Sequence, residues 1–205
     1  MTFSTNQNIV IIKYNAGNIR SVNNALVRLG LDATITADPE LIRKADKVIF
    51  PGVGEASTTM KHLNKTGLST LITELKQPVL GICLGMQLMC SHSEEGDVPC
   101  LGIFDEKVQK FLLPNPNPAN FKVPQMGWNS ITNLKSDLFD ATLEEQFVYF
   151  VHSYYVAFGK DTAATTNYLL PYSSALQKDN FFATQFHPEK SGPIGERILI
   201  NFLKL

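Results

Sequence analysis

Three short apolar runs, each followed by a turn and then by residues at helical spacing, dictate what the first half of this chain can become. Asn8 to Ile12 is β-branched and apolar without alternation, the pattern of a strand buried on both faces. After Gly17, residues Ile19, Val22, Leu26 and Leu29 return near the 3.6-residue period, and Gly30 is placed to end that helix. Lys47 to Phe50 then leads through Pro51-Gly52-Val53-Gly54 into a segment whose Met60 and Leu63 would face a core. Pro78 to Ile82 leads into a third helix, read over Leu84 to His92. Strands alternating with helices require crossovers, and crossovers put helices on both faces of a mostly parallel sheet. The expectation is a three-layer α/β fold, and 205 residues at 44% hydrophobic content fit one domain over residues 1–205.

The texture changes at Gly102. Lys107 to Phe111, Trp128 to Asn133 and Phe147 to Phe158 alternate in the manner of antiparallel additions. Pro114 to Pro118, proline at every second position, cannot join a central strand and reads as a surface loop. Phe181 to His187 returns to strand, and Ile194 to Leu203 reads as a closing helix. A formal net charge of −1 removes any overall electrostatic case for nucleic acid or an anionic membrane as partner. The cysteines, Cys83, Cys90 and Cys100, form no C-x-x-C pair, so no disulfide framework is expected. The polar start lacks the order of a secretory leader, and no apolar run approaches the ~20 residues of a membrane span, so a soluble cytoplasmic protein is expected.

Gly81-Ile82-Cys83-Leu84-Gly85 has the form of a nucleophile elbow, with a strand before it and a helix after it. Such a turn raises one side chain above the sheet edge, and its flanking glycines make room for the bend. A thiol there lies at a helix N-terminus, where the dipole favours thiolate. A base is still needed, because free cysteine is only a few per cent ionised at neutral pH. Of the histidines, His62 falls on the outer side of a helix, His92 at a helix end and His152 within a strand. Only His187 arrives with an orienting carboxylate, in His187-Pro188-Glu189. On extended backbone, residues i and i+2 share a side, so Glu189 would steady the imidazole without taking its proton. Taken singly, a buried cysteine is usually a small hydrophobe and a histidine before proline a loop residue. Cys90, two helical turns on, reads as core, and Cys100 as an ordinary loop thiol.

Together, Gly81 to Gln87 and Gln185-Phe186-His187-Pro188-Glu189-Lys190-Ser191 resemble the class I (triad) glutamine amidotransferases. Gly17 to Val22, Pro51 to Gly54, Met126-Gly127-Trp128-Asn129 and Lys190-Ser191 narrow that resemblance to the glutaminase subunits of imidazole glycerol phosphate synthase. The resemblance runs from Ile9 to the C-terminus. It implies catalytic Cys83, His187 and Glu189, and an oxyanion hole from Val53, in the mobile Gly52-Val53 peptide, and Leu84. It implies substrate-binding Gln87, Glu95, Ser153 and Tyr154, no metal or organic cofactor, and a face of Gln125, Met126, Trp128, Tyr149 and Lys190 toward a (β/α)8-barrel cyclase subunit. That partner would join the ammonia to a phosphoribulosyl-formimino aminoimidazole carboxamide nucleotide, yielding imidazole glycerol phosphate and an aminoimidazole carboxamide ribotide in histidine biosynthesis. From the residues alone, Gln87 reads as a helix-surface residue, Glu95 as a solvated turn residue and Ser153 and Tyr154 as ordinary strand residues, while Trp128 is equally core. The chain departs from the family at Lys13-Tyr14-Asn15-Ala16, around Cys100-Leu101-Gly102 and in the long Pro114 to Pro118 loop. Two other readings stay open: a triad amidotransferase serving another acceptor, and a nucleotide-binding regulatory domain cradling phosphate at Gly17-Asn18. No G-x-G-x-x-G or P-loop lysine supports the latter.

Overall fold

A computed structural model describes residues 7–14, 18–117 and 119–205; the readings made on the first residues and on Asn15, Ala16, Gly17 and Pro118 lie outside them. The first half alternates as its apolar runs require: β1 (Ile9–Ile12), α1 (Ile19–Arg28), β2 (Ala33–Thr36), α2 (Pro39–Arg43), β3 (Lys47–Gly52), α3 (Ala56–Thr66), α4 (Leu68–Glu74), β4 (Val79–Cys83) and α5 (Leu84–Met89). The sequence reading passed over β2 and α2. β2 is only half-buried, so it lacks the apolar run, but α2 carries a local signal. Asp38 accepts from the N–H groups of Glu40 and Leu41 and Pro39 follows it, a capped helix start.

The second half supplies β5 (His92–Ser93), β6 (Val98–Pro99), β7 (Lys107–Lys110), β8 (Gln125–Ser130), β9 (Phe147–His152), β10 (Tyr154–Val156), β11 (Thr162–Asn167), β12 (Pro171–Lys178), β13 (Phe181–Thr184) and α6 (Gly192–Lys204). The main sheet runs β2-β1-β3-β4-β13-β12-β10-β7-β5-β6, with β11 on β12. β13 enters the parallel centre, Thr184 opposite Ile82, and only beyond it does the sheet turn antiparallel. Several boundaries differ from the sequence reading: β8 spans Gln125–Ser130 where Trp128 to Asn133 was read, β13 ends at Thr184 instead of His187, and β11 and β12 were not foreseen. α5 stops at Met89 because Cys90 takes an extended backbone, so His92 opens a strand instead of ending a helix. Phe147 to Phe158 is broken at Ser153: β9 pairs with β8 in a separate ribbon, and β10 joins the main sheet.

The non-alternating run of β1 has a direct packing cause. Val10 and Ile12 join Val48 and Phe50 in a core under α3, α4 and α5, while Ile9 and Ile11 join Ile49, Leu80 and Ile82 in a core under α1 and α6. Every one of these side chains is at least 99% buried, so each position loses a full apolar contact if made polar. This is the three-layer α/β arrangement expected. Among the described residues no helix is long and apolar enough to cross a membrane.

Candidate active site

The carboxyl ends of β3 and β4 meet at a cleft of about 300 Å³. Cys83 ends β4 at φ 55°, ψ −109°, a conformation side chains rarely accept, and α5 begins at the next residue. The elbow needs both glycines for close approach. A Cβ on Gly85 would lie 1.9 Å from the Phe50 carbonyl oxygen, and one on Gly81 would lie 2.8 Å from Met89 Sδ. Cys83 Sγ lies 3.9 Å from the Val151 carbonyl oxygen and faces the cleft, as does Leu84, whose N–H opens the helix. The other thiols differ. Burial pushes Cys90 far above its ordinary pKa and Cys100 up to about 12, and neither lines the cleft.

His187, fully buried, lines the same cleft. Its Nδ1 bonds Glu189 Oε1 at 2.7 Å, which fixes the tautomer, and its Nε2 has no partner among the described residues. Burial disfavours the imidazolium, but the adjoining Cys83 and Glu189 outweigh it and push the pKa up to about 10. The backbone differs from the expected extended form. Pro188–Lys190 is a turn of 3-10 helix, so Glu189 returns to the imidazole by curling back. Ser191 Oγ ties that turn, donating to the His187 carbonyl at 2.7 Å and accepting from the Tyr149 N–H at 2.9 Å.

Sequence reasoning missed two side chains here. Asn18 stands at the start of α1 at φ 71° and caps nothing there; its Nδ2 instead donates to Glu189 Oε1 at 2.5 Å. That contact makes it a brace of the carboxylate, where a phosphate cradle was an open reading. Gln185, fully buried, donates through Nε2 toward Cys83 Sγ at 3.7 Å and accepts from Gln87 Nε2 at 2.9 Å. Its place in the His187 motif was the available signal.

Gln87, Glu95, Ser153 and Tyr154 all line the cleft with Val53, whereas Gly52 lies behind it, opposite Cys83 in the β3–β4 ladder. Gln87 also donates to the Tyr154 carbonyl at 2.9 Å, so both its amide hydrogens are committed and only its oxygen is free for a ligand. Glu95 accepts from the Ala56 N–H at 2.9 Å; burial, and then Glu55, raise its pKa against that bond. The Ser153 carbonyl accepts from the Phe111 N–H, and that of Tyr154 also from His152 Nδ1.

Of the face expected toward a partner, Met126 is 65% and Trp128 55% exposed, Lys190 is exposed and Tyr149 half-buried. Phe147, not foreseen, joins them. Gln125 does not: it is 3% exposed and accepts from the Tyr172 hydroxyl at 3.0 Å, because the period of a strand turns it inward when Met126 turns outward. Trp128 is therefore surface, not core.

Comparisons with known proteins give the chain's family. Residues 10–205 match the family model for glutamine amidotransferase class-I. The imidazole glycerol phosphate synthase subunit HisH of Bacteroides fragilis is 64% identical over 197 residues, covering 96% of this chain and 99% of that one. The protein described as subunit HisH 2 in Methanococcus maripaludis is 44% identical over 203 residues, covering 96% and 98%. Among solved structures, that of PurLQS from Thermotoga maritima superposes with a TM-score of 0.69 at 14% identity, over 96% of this chain and 97% of the matched one, a likeness of fold alone. The chain belongs to the class I glutamine amidotransferases and, within them, to the family of imidazole glycerol phosphate synthase glutaminase subunits.

Proposed function

We propose that this chain hydrolyses L-glutamine to glutamate and ammonia through Cys83, His187 and Glu189, and hands the ammonia to a (β/α)8-barrel cyclase subunit seated on the Met126, Trp128 and Tyr149 face. The observation that carries the reading is the arrangement of one cleft: a thiol on an elbow, and an adjoining imidazole whose Nδ1 is held 2.7 Å from a buried carboxylate while its Nε2 makes no hydrogen bond among the described residues.

In this mechanism the Cys83 thiolate attacks the glutamine carboxamide carbon, and the N–H groups of Leu84 and Val53 receive the developing oxyanion. The imidazolium of His187 gives its Nε2 proton to the departing nitrogen, and ammonia leaves. The imidazole then takes a proton from water, which hydrolyses the γ-glutamyl thioester and restores the thiol pair. Gln185 holds the sulfur from the side opposite the solvent. Glu95 is suited to the α-ammonium of the substrate, and an N–H at Ser153 to its α-carboxylate. Val53 supplies its N–H once the Gly52–Val53 peptide turns, so a missing donor, worth about 10²- to 10³-fold, keeps the isolated chain slow until the cyclase docks. The Bacteroides relative's name marks it as a synthase subunit, which supports a partner subunit.

Cys83→Ala is the decisive variant. In the reconstituted complex it should lower glutamine-dependent synthesis by at least about 10⁴-fold while leaving synthesis from ammonium salt within about twofold of wild type. Loss of both activities together would sink the assignment.

A further inference from the structure

The end of β3 that carries the oxyanion segment is held by something other than the sheet on one side. Pairing of β1 with β3 stops at Ile11 and Ile49, whereas β3 continues against β4 to Gly52, opposite Cys83. Pro51 lies in that overhang and has no N–H, so its carbonyl is its only backbone hydrogen-bonding group. The Tyr14 hydroxyl, two residues past the end of β1, donates to that carbonyl at 2.5 Å in a buried position. A side chain thus supplies the bond that β1 is too short to make.

Three observations make this contact more than packing. The Tyr14 ring is set against Phe50 with centroids 5.2 Å apart, so the hydroxyl is aimed by the strand it serves. The same oxygen lies 2.7 Å from where a Cβ on Gly52 would stand, with Gly85 N and Leu84 Cβ each 2.8 Å from it on other sides. The α-carbon of Gly52, next to the peptide that turns in the mechanism proposed above, is therefore confined between the phenol and the start of α5. Burial, and then the neighbouring Cys83, push the phenol far above its ordinary pKa, so it remains a donor at any working pH. Tyr14 is not among the residues lining the cleft, so it acts on the reaction through the backbone.

The geometry points to Tyr14 as a positioning residue, a latch on the Pro51 carbonyl that pins the Pro51–Gly52 peptide and so restrains the Gly52–Val53 peptide joined to it until the partner docks. The inference rests on the glutaminase reading above and adds to it the element that sets how far the partner stimulates turnover. Freed from the latch, the segment samples the donor orientation unaided, so the slow state loses population while the docked state, already turned, gains little.

Tyr14→Phe keeps the ring and removes only the hydroxyl. Glutamine hydrolysis is measured for wild type and variant, alone and with the cyclase plus its nucleotide ligand, alongside melting temperature and exchange of the Val53 amide. The expected result is basal turnover raised about fivefold, the size of one hydrogen bond, with stimulated turnover and the KM for glutamine within about twofold and faster Val53 exchange in the unpartnered chain. An unchanged stimulation ratio overturns the latch, whatever happens to melting, as does an effect carried by KM or an unchanged Val53 exchange rate. Wild type that fails to hydrolyse glutamine even with the partner would sink the underlying glutaminase reading instead.

Discussion

The two faces of the β8–β9 ribbon are built from the same kind of residues and meet opposite fates. Inward, Gln125, Val148, Phe150 and His152 pack against Phe186 and Tyr172, and every one of these is more than 90% buried. Outward, Met126, Trp128 and Phe147 stay more than half exposed, with the Trp128 ring 6.1 Å from that of Tyr149 across the pair. Strand alternation normally puts polar residues on the uncovered side, so an apolar outer face is a surface awaiting cover. The contrast separates the face the chain buries by itself from the face on which the proposed partner would seat.

Acid tests the inner face most severely. His152 is buried with its Nδ1 2.7 Å from the Tyr154 carbonyl and its Nε2 3.3 Å from the Tyr172 hydroxyl, and burial lowers its pKa to about 4. A folded-state pKa below the unfolded value of about 6.5 makes the stabilisation complete above pH 6.5, and it is lost as pH falls toward 4. Urea unfolding should therefore lose about 3 kcal/mol over that range beyond what a His152→Gln variant loses. A flat difference would show that the inner face is not sealed.

Trp128→Ala tests the outer face. Truncating an aromatic anchor should weaken cyclase binding by about 2 kcal/mol, roughly 30-fold in Kd, with the melting temperature of the isolated chain nearly unchanged. A large fall in melting with intact affinity would reverse the assignment of the two faces. Smaller still is the effect expected at the seam between them, where the His187–Ser191 turn hangs from β9. Asn18→Ala removes the brace on Glu189 and should lower kcat about tenfold with little change in KM for glutamine, since it touches the base and not the substrate. A change confined to KM would place Asn18 in substrate binding instead.

How much of this was legible in the sequence depended on distance along the chain. The elbow, the buried strands β1, β3 and β4 and the closing helix are local patterns and emerged as read, whereas the half-buried β2 carried no such pattern and was passed over. The insertion of β13 beside β4 pairs residues about a hundred positions apart, and a strand run says nothing about which neighbour it takes. The same limit hid Asn18 beside Glu189 and Gln185 beside Cys83, contacts that close 171 and 102 residues of chain. Glu189 was assigned for a reason that did not hold, since the imidazole is reached through a 3-10 turn rather than an extended tripeptide. Gln125 came into the partner face with the resemblance, and the alternation of β8 turns it inward, where it is buried.

Tyr149 belongs to both halves of the contrast. Its ring stands by Trp128 on the uncovered face, while its carbonyl accepts from the His187 N–H at 2.9 Å and its own N–H donates to Ser191 Oγ. Whatever settles on that aromatic pair thus rests one peptide unit from the imidazole proposed to shuttle the proton. If docking shifts that single backbone segment, His187 is carried with it, and no relay across the domain is needed.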